Sequence, residues 1–589
     1  MKEDLIEALT LSLSKLEKNY QVKLPISIGI KENKNKEFGD YSSNLALIAS
    51  EHIEEDPRSI AEFLVKELSK TDQVNRIEIA GPGFINFFLT QDNRTEILTI
   101  INQEKDGYGF CKERKLKRDK ILIEYVSSNP TGPLHVGHGR GAIYGSVLSS
   151  ILRSSGHLVD EEYYVNDQGR QMDILTLSVW VRYLQNFDKK ILFPKKCYQG
   201  EYVKILAKQL KDKNKDSFVP SEEDKKELAK FLSNLMNEEK DLDSAVEMAK
   251  KELDESFEEI KIFSLNSILK NIKKDLKAFG VKHNLWFKES SMFSSSSKKI
   301  SAIEEVINAL KKNGFIYKKD GALWFKSTHF EDEKDRVVKR ENGETTYFAS
   351  DIAYHADKYK RGYNKIINIW GADHHGYFPR VKAAMSALDE DTEKFEVIFI
   401  QFANLVRRGK TVSMSTRGGE FTSLKELMEE VTSEATRFFY INRKSNQHLD
   451  FDLDLAKEES KDNPLYYIQY AHARICSIFN KLNKENRSYN EKIAMKSLEN
   501  LRGGKEIEIL QTLSQFPDVV ERAANKYEPH LICYYLRDLA SYFHGYYNSE
   551  KVLVDNEEKL QAKLFMLSAV KQVIFNGLTL LGISSPKSM

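Results

Sequence analysis

The sequence predicts a multidomain protein whose centre is a doubly wound, Rossmann-type α/β domain. The apolar run KILIEYVS is typical of a strand in a parallel sheet, and the stretch after it has helical periodicity, with Ile143, Val147 and Ile151 at four-residue steps. The phrase HLVDEEYYVND then has the pattern of a second strand, and strand, helix, strand is the repeating unit of such a sheet. After Pro464 the pattern is almost all helix, which predicts a separate helical domain.

The length and the charge balance limit the class of protein. A chain of 589 residues with 41% hydrophobic and 30% charged residues can form several packed domains, roughly four at about 150 residues each. Lysine and arginine number 89, aspartate and glutamate number 88, and the formal net charge is +1. This balance excludes a uniformly basic nucleic-acid coat and a highly charged disordered chain, but it leaves local basic surfaces open.

The sequence shows no pattern of a targeting segment or a zinc site. It has no long uncharged apolar stretch, and the N-terminal run MKEDLIEALTLSLSKLEKNY carries charges through the apolar core that a secretory signal would need. The cysteines are isolated and form no CxxC pair; they are Cys111, Cys197, Cys476 and Cys533. We therefore expect a reduced, cytoplasmic protein that makes no membrane contact and holds no tightly bound metal.

Three domains are predicted along the chain. Residues 1–110 form a small α+β domain, in which LPISIGI has the pattern of a strand and RIEIAGPGFINFFLT that of two strands joined by a Gly-Pro turn. Residues 111–458 form the α/β domain, which a lysine-rich helical insertion interrupts at about 186–274. Strand patterns resume after the insertion in GALWFKS, RVVKRENGETTYFASD, KIINIWGADHHG and KFEVIFIQFANLV. Residues 459–589 form the all-α domain.

The strongest local motif is His135-Val136-Gly137-His138, which lies between a strand and the start of a helix. A helix N-terminus offers free N–H groups and the positive end of its dipole, and Gly137 lets a ligand approach the backbone closely. Two imidazoles at that place can donate hydrogen bonds to phosphate oxygens and stabilise charge that develops on them. The pattern favours a phosphate-binding turn; the alternative is that both histidines only cap the helix or pack in the core.

The phrase PTGPLHVGHGRGA resembles the HIGH signature of class I aminoacyl-tRNA synthetases, and phrases along the full length resemble bacterial arginyl-tRNA synthetases in particular. Among these phrases are GDYSSNLAL, AGPGFINFF, YYVNDQGRQM, TTYFASDIAYHADKY, WGADHHGY, HLDFDLDLAKEESKDNPLYYIQYAHARI and LGISSPKSM. The resemblance implies an arginine–tRNA ligase: ATP, accompanied by Mg²⁺, activates L-arginine to arginyl-adenylate with release of pyrophosphate. The arginyl group then passes to the 3′-terminal adenosine of tRNA(Arg). The family resemblance also implies a monomer.

The resemblance assigns roles around the catalytic cleft. His135, Gly137 and His138 would bind ATP, with both histidines stabilising the phosphate transition state. Residues matching the arginine site are Glu124, Ser127 and Asn129 for the amino-acid end, Tyr347 and Asp351 for the side chain, Glu289 as a second guanidinium-binding acid, and Asp373 as part of the wall. Carboxylates suit a planar, always charged guanidinium because they can accept paired N–H bonds, whereas lysine would leave their lone pairs unpaired. For any one of these acids alone, a surface salt bridge is the alternative.

A second class I signature, the KMSKS loop, is degenerate in this chain. Met414 and Ser415 keep the family pattern, whereas Ser413 and Thr416 stand where its lysines would be. The compensating lysine that some arginine enzymes carry before the HIGH motif is also absent. We hypothesise that Arg417 and Lys410 supply the positive charge for the leaving pyrophosphate. The alternative places Lys410 in a solvated turn.

The tRNA-facing residues are predicted in two places. In the helical domain, which binds the anticodon in this family, Tyr466, Tyr470 and Arg474 form one stripe, and Tyr535, Tyr542 and Tyr546 form a similar face on a later helix. Aromatic and arginine planes are typical partners of single-stranded RNA, although such tyrosines can equally pack helix against helix. In the N-terminal domain, Phe84 and Asn86 match positions that contact the tRNA elbow. The alternative for Asn86 is an amide satisfied by its own turn.

Two other functions fit parts of the pattern. One is another nucleotidyl transferase with a HIGH motif, and the other is a tRNA-binding paralogue with weakened catalysis, which the missing loop lysines favour. The presence of His135, His138, Tyr347 and Asp351 together argues against the paralogue, because RNA binding alone requires none of them.

Overall fold

The computed structural model describes residues 2–33, 38–68, 74–89, 91–110, 118–221, 224–225, 228, 232, 240–293, 300–412 and 422–589. Its N-terminal part is a small α+β domain. The elements are α1 (Lys2–Tyr20), β1 (Ile30–Glu32), β2 (Tyr41–Ser43), α2 (Leu45–Ser50), α3 (Pro57–Glu67), β3 (Val74–Ala80) and β4 (Phe84–Leu89). The four strands form an antiparallel sheet in the order β1-β2-β4-β3. Of the predicted strand LPISIGI only the last residue pairs, so that expectation was largely wrong.

The middle part of the chain contains most of the strands. Its elements, in order, are α4 (Gln91–Glu104), β5 (Lys120–Glu124), α5 (Val136–Ser154), β6 (Leu158–Val165), α6 (Arg170–Leu184), α7 (Glu201–Asn214), α8 (Lys240–Leu253), α9 (Glu255–Ala278), β7 (Leu285–Lys288), α10 (Ala302–Lys312), β8 (Ile316–Lys319), β9 (Ala322–Phe325), β10 (Arg336–Lys339), α11 (Tyr347–Lys360), β11 (Lys365–Gly371), α12 (Phe378–Ala387), β12 (Phe395–Ile400), β13 (Ala403–Arg407), β14 (Lys410–Val412), α13 (Leu424–Val431), α14 (Ser433–Ile441), β15 (Leu449–Asp452) and α15 (Leu453–Lys457).

The central sheet has the predicted doubly wound topology. Five parallel strands lie in the order β12-β11-β5-β6-β7. The chain builds outward from β5 to β7 and then returns to the other side of β5 with β11 and β12. The order therefore reverses between β5 and β11, and ligands of such sheets bind beyond the carboxyl ends of the strands at that point.

Two additions surround the sheet. The insertion is helical, as predicted: α7 and α9 pack against α6, and their apolar side chains join the main core. Between β7 and β11 the chain adds a small antiparallel sheet in the order β10-β9-β8. The predicted strand RVVKRENGETTYFASD is only partly a strand, because Thr346 caps a helix by accepting a hydrogen bond from the Ala349 N–H. Tyr347 and Asp351 therefore lie on the first turns of α11.

The C-terminal part is the predicted helical domain. It consists of α16 (Pro464–Lys484), α17 (Glu491–Lys496), α18 (Gly504–Ser514), α19 (Phe516–Asn525), α20 (His530–Ser549) and α21 (Glu557–Leu581). Helix α21 is long and apolar enough to cross a membrane by length and composition, with 72% of its apolar window buried among the other helices. Lys563 and Lys571 lie within this helix.

Helix α4 follows the N-terminal sheet in the sequence but packs against the C-terminal helices. Leu98 and Ile101 of α4 are buried in the same core as α18 and α21, rather than in the core of the N-terminal sheet. The segment 91–110, which the sequence assigned to the N-terminal domain, thus packs with the C-terminal helices.

Candidate functional site

The loop after β5 is shaped by unusual backbone conformations. Val126 and Ser127 have φ angles of +69° and +39°, a region that non-glycine residues rarely adopt. The hydroxyl of Ser127 donates a hydrogen bond of 2.8 Å to Oε1 of Glu124 and accepts one of 3.0 Å from the Tyr164 N–H of β6. The turn therefore holds the Glu124 carboxylate at the carboxyl edge of the central sheet.

Glu124 has a partner that the sequence did not predict. Its Oε2 atom accepts a hydrogen bond of 2.5 Å from Nζ of Lys358, and the side chains of both residues are almost completely buried. The nearby Asn129 donates a 2.8 Å hydrogen bond to Gln171 of α6. The predicted residues for the amino-acid end thus lie at the end of β5 and on the loop after it, and Glu124 is fixed from two sides.

The HIGH-type turn caps α5 with its own histidines. The Gly137 N–H donates to Nδ1 of His135 at 3.1 Å, the His135 N–H donates to Nδ1 of His138 at 3.2 Å, and the two ring centroids are 3.7 Å apart. Because both Nδ1 atoms accept, each neutral ring carries its proton on Nε2. The capping alternative is therefore present in the structure, and it leaves both Nε2–H groups as donors.

Burial keeps these histidines neutral. It lowers the pKa of His135, and burial together with the charge of His135 lowers the pKa of His138 to about 3. Near neutral pH the turn therefore offers hydrogen-bond donors without net charge. Such neutral donors keep their protons, and they can stabilise negative charge that develops on a phosphate.

The chain that follows the KMSKS-like loop packs against this turn. Its predicted ATP-binding residues Met414, Ser415 and Arg417 lie outside the described residues, as do Ser413 and Thr416. The chain that follows them is tied to the HIGH-type turn: Thr422 O accepts from the Val136 N–H at 3.2 Å, and the Leu424 N–H donates to Leu134 O at 2.9 Å. The loop therefore ends next to His135.

Lys410 lies in a tight hairpin. It stands opposite Arg407 across the β13–β14 turn, where Arg408 and Gly409 have φ angles of +49° and +70°. Lys410 is exposed, so the geometry matches the solvated-turn alternative. It does not by itself assign the lysine to a phosphate.

Two carboxyl groups meet at the opposite end of the cleft. Glu289 follows β7 and is almost completely buried, and Asp351 lies one turn into α11. Burial, together with the charge of Asp351, raises the pKa of Glu289 to about 7. Burial, with a smaller contribution from Glu124, raises the pKa of Asp351 to about 6. Two poorly solvated acids that disfavour each other's charge form a site that a bound cation would stabilise.

Tyrosines orient both acids. The Tyr377 hydroxyl of the β11–α12 connection donates to Oδ2 of Asp351, and the Tyr164 hydroxyl hydrogen-bonds to Glu289. The pKa of each tyrosine is raised, mainly by burial, so both remain protonated donors. Sequence reasoning missed Tyr164 and Tyr377, although YYVND and HHGY place both of them in recognised phrases.

Tyr347 borders a cavity beside these acids. It is 58% exposed, and it lines a space of about 930 Å³ together with Glu289, Gly169 and Ser350. Gly169 has a φ angle of +82°, and a Cβ there would lie 2.9 Å from the Tyr347 hydroxyl. Asp373 lies on the exposed turn after β11, 3.5 Å from His374, and no contact joins it to the two acids.

The stripe of Tyr466, Tyr470 and Arg474 lies on one face of α16. Tyr466 and Tyr470 stack with centroids 5.8 Å apart, and Arg474 donates to the Tyr470 hydroxyl at 2.8 Å. Arg474 also lies over the ring of Tyr547 at 4.7 Å, and Tyr470, Arg474 and Tyr547 line a groove of about 580 Å³.

The predicted face of α20 was wrong in part. Tyr542 is exposed, but Tyr535 and Tyr546 are buried, and Tyr546 points to Glu506 inside the helical domain at 3.3 Å. The exposed residue on the groove side is Tyr547. The alternative of tyrosines packing helix against helix therefore holds for Tyr535 and Tyr546.

The two N-terminal positions differ in access. Phe84 is exposed at the start of β4, whereas Asn86 is only 4% exposed and pairs in register with Ser42 and Glu78 of the flanking strands. Of the two predicted elbow contacts, only Phe84 presents its side chain. The proposed turn for Asn86 was also wrong, because the residue lies within a strand.

Within the described part of the chain, no cluster of three or more His, Cys, Asp or Glu side chains has the arrangement of a metal site. Cys197, Cys476 and Cys533 are free thiols, and Cys111 lies outside the described residues.

Comparisons with known proteins cover almost the whole chain. Three family models match: "Arginyl tRNA synthetase N terminal domain" at residues 3–89, "tRNA synthetases class I (R), catalytic domain" at 99–457, and "DALR anticodon binding domain" at 468–589. A protein named Arginine--tRNA ligase from Acinetobacter baumannii (strain AYE) is 46% identical over 577 residues, covering 96% of this chain and 95% of the relative. One of the same name from Coxiella burnetii (strain CbuG_Q212) is 45% identical over 594 residues, covering 100% and 99%. The structure of Thermus thermophilus arginyl-tRNA synthetase has the same fold, with a TM-score of 0.72 at 20% identity and full coverage of both chains.

Proposed function

The chain belongs to the class I arginyl-tRNA synthetases, and from this premise we propose that it activates L-arginine with ATP and transfers it to the 3′-terminal adenosine of tRNA(Arg). One observation carries the choice of amino acid: the buried Glu289 and the half-buried Asp351 lie across the carboxyl edge of the sheet that also carries His135 and His138. A guanidinium keeps its charge at all relevant pH values and pairs with carboxylates through parallel N–H bonds.

In the first step, an arginine carboxylate oxygen attacks the α-phosphorus of ATP, and the bond from that phosphorus to the pyrophosphate oxygen breaks. The products are arginyl-adenylate and pyrophosphate. The Nε2–H groups of His135 and His138 would donate to the phosphate oxygens as negative charge builds up on them. Gly137 keeps the helix N-terminus open to the nucleotide. Mg²⁺ would enter with ATP as part of that substrate.

At the other end, Asp351 and Glu289 would accept the guanidinium N–H groups, with Tyr347 closing one side. Glu124, Ser127 and Asn129 would hold the α-amino and carboxylate end. Asp373 stays a candidate for the outer wall. Charge-assisted hydrogen bonds of this kind contribute about 1.5–3 kcal/mol each. Lysine has a compact ammonium and cannot satisfy both acids in the same way.

In the second step, a ribose hydroxyl of the terminal adenosine attacks the arginyl carbonyl carbon, and AMP leaves with the electron pair of the broken C–O bond and takes up the proton that the hydroxyl loses. We infer that Arg417 and Lys410 supply charge for the pyrophosphate in the first step, with Met414 and Ser415 as further ATP contacts. The end of that loop beside His135 supports this assignment.

The tRNA would bind along three regions: 1–110 at the elbow, 111–458 at the acceptor end and 459–589 at the anticodon. Phe84 at the elbow, and Tyr466, Tyr470, Arg474 and Tyr542 at the anticodon, are the exposed or half-exposed candidates. We propose that the protein acts as a monomer in the cytoplasm, with no membrane partner.

Arginine-dependent exchange of labelled pyrophosphate into ATP tests this function, run with and without tRNA(Arg). We expect exchange with arginine only, and only when tRNA is present. Exchange with another amino acid would indicate a different nucleotidyl transferase. Retained tRNA binding without exchange under either condition would indicate the catalytically weakened paralogue.

A further inference from the structure

We propose that Lys358 is a positioning residue that sets the distance between the two ends of the amino-acid site and so selects the length of the substrate. The inference rests on the proposed function, in which Glu124 holds the α-amino end and Asp351 the guanidinium end.

Lys358 is built into the interior of the catalytic domain. Its side chain is fully buried, and Nζ donates to Oε2 of Glu124 at 2.5 Å and to Oδ1 of Asn368 in β11 at 2.8 Å. It also lies 4.3 Å from the centre of the Tyr354 ring. A buried ammonium is costly unless it is paired and hydrogen-bonded, and here Nζ has two hydrogen-bond acceptors and an aromatic face around it.

Helix α11 carries both Asp351, the proposed guanidinium acid, and Lys358. Lys358 follows Asp351 by seven residues on α11, which is two helical turns, so the two side chains share one face. A second path joins them through Asn368, whose amide contacts Nε2 of His355 at 3.0 Å, while Nδ1 of His355 contacts the Asp351 carbonyl at 2.8 Å. Glu124 on β5 is thereby linked to the helix that presents the guanidinium acid.

This linkage fixes the distance between Glu124 and the helix that carries Asp351. Glu124 is held by Ser127 on one oxygen and by Lys358 on the other, so it cannot move toward or away from α11 without breaking a buried ion pair. A ligand with positive groups at both ends must match that spacing. Without Lys358, Glu124 becomes an unpaired buried carboxylate that turns to other donors or takes up a proton.

Calorimetric binding of three ligands to the full chain tests the proposal: L-arginine, 5-guanidinopentanoic acid, which lacks only the α-amino group, and L-homoarginine, which is one methylene longer. The variant is Lys358→Met, and the matched control is Lys360→Met on the same helix, whose lysine is exposed and pairs with Glu305 at 3.4 Å. In Lys358→Met we expect arginine binding to weaken about 10- to 100-fold, as for one lost charge-assisted bond, while the deamino ligand changes less than about twofold. The preference for arginine over homoarginine, expected to be about 10-fold or more in the unaltered protein, should shrink.

Equal weakening of arginine and the deamino ligand would overturn the proposal, because it would indicate general loss of structure. Unchanged arginine binding, or an unchanged preference over homoarginine, would also overturn it. If the unaltered protein binds arginine no better than the deamino ligand, the role proposed for Glu124 fails instead. Should Lys358→Met not fold, Lys358→Arg keeps the charge in a larger group, and the same narrowed preference is expected; an unaltered preference there contradicts the proposal.

Discussion

Glu289 and Asp351 share a site in which neither carboxyl group is well solvated. Burial and the charge of Asp351 raise the pKa of Glu289 to about 7, and burial, with a smaller contribution from Glu124, raises the pKa of Asp351 to about 6. The free site therefore holds a proton over much of the range in which the guanidinium is already charged. Binding of the cation favours the ionised acids, so it releases that proton.

This linkage predicts the sign of the pH dependence. As pH rises from about 5.5 to 7.5, arginine should bind more tightly, by up to about tenfold per pH unit for each proton released, and then level off. Titration calorimetry in buffers of different ionisation enthalpy measures both the affinity and the released proton. Glu289→Gln should remove the upper part of the pH dependence; an unchanged profile in that variant would contradict the account.

At the scale of the single residue, sequence patterns found the acids but not their supports. His135 and His138 are three positions apart, so a local motif identifies them. Lys358 contacts Glu124, which is 234 residues away in the sequence, and Tyr377 contacts Asp351, which is 26 residues away. The periodicity of a single helix or strand cannot reveal such pairs.

Turns and helix faces decide which predicted residues reach the site. On α20 a shift of one residue rotates a side chain by about 100°, which is why Tyr547 rather than Tyr546 faces the groove. The apolar side chains of that helix form its core face; they are Ile532, Leu536, Leu539 and Phe543. They did not separate the two adjacent tyrosines, because an amphipathic ring can occupy either side.

The position of Tyr547 on α20 leads to a prediction for the groove that it lines with Tyr470 and Arg474. Tyr547→Ala should weaken tRNA binding about 5- to 100-fold, because a base loses a stacking surface. Tyr546→Phe is the matched control: it removes only the buried hydroxyl near Glu506, so tRNA affinity should stay the same while the melting temperature falls slightly. Filter binding and thermal melts measure the two effects. A larger loss of tRNA affinity for the buried position would reverse the assignment.

The loop before α6 gives a second prediction for a local element. Gly169→Ala adds a Cβ both at a left-handed φ and within 2.9 Å of the Tyr347 hydroxyl, whereas Gly314→Ala has the same φ of +82° with nothing within 4 Å. Both variants should lose stability through backbone strain, by roughly 1–2 kcal/mol. Only Gly169→Ala should also raise KM for arginine in the exchange reaction. Equal KM values for the two variants would show that Tyr347 does not depend on this contact.

Across the whole molecule, Asp40 joins the N-terminal domain to the C-terminal helices. Asp40 is almost completely buried; its Oδ2 accepts from Arg94 of α4 at 2.8 Å, and its Oδ1 accepts from Gln511 of α18 at 2.7 Å. The domain order was predictable from periodicity and turn signals. The joint, by which we mean the contacts of Asp40 with Arg94 and Gln511, was not predictable, because Asp40 and Gln511 are 471 residues apart.

The joint should influence tRNA binding without affecting the small substrates. Gln511→Ala removes one hydrogen bond to a charged group, and we expect KM for tRNA to rise about 2- to 10-fold while arginine affinity is unchanged. Aminoacylation kinetics and arginine calorimetry provide the two readouts. A parallel loss of arginine affinity would point to general unfolding instead. Because the net charge is only +1, tRNA affinity should depend on local cationic patches and should fall with added salt.

The central claim is that the Glu289–Asp351 pair selects the guanidinium. The most direct test compares kcat/KM for arginine and for lysine in tRNA-dependent pyrophosphate exchange, in the unaltered protein and in Asp351→Asn. We predict a preference for arginine of about 10⁴ or more in the unaltered protein, because buried acceptors would be left unpaired by lysine. In Asp351→Asn that preference should fall by at least about tenfold. An Asp351→Asn variant that keeps the full preference for arginine would contradict the account.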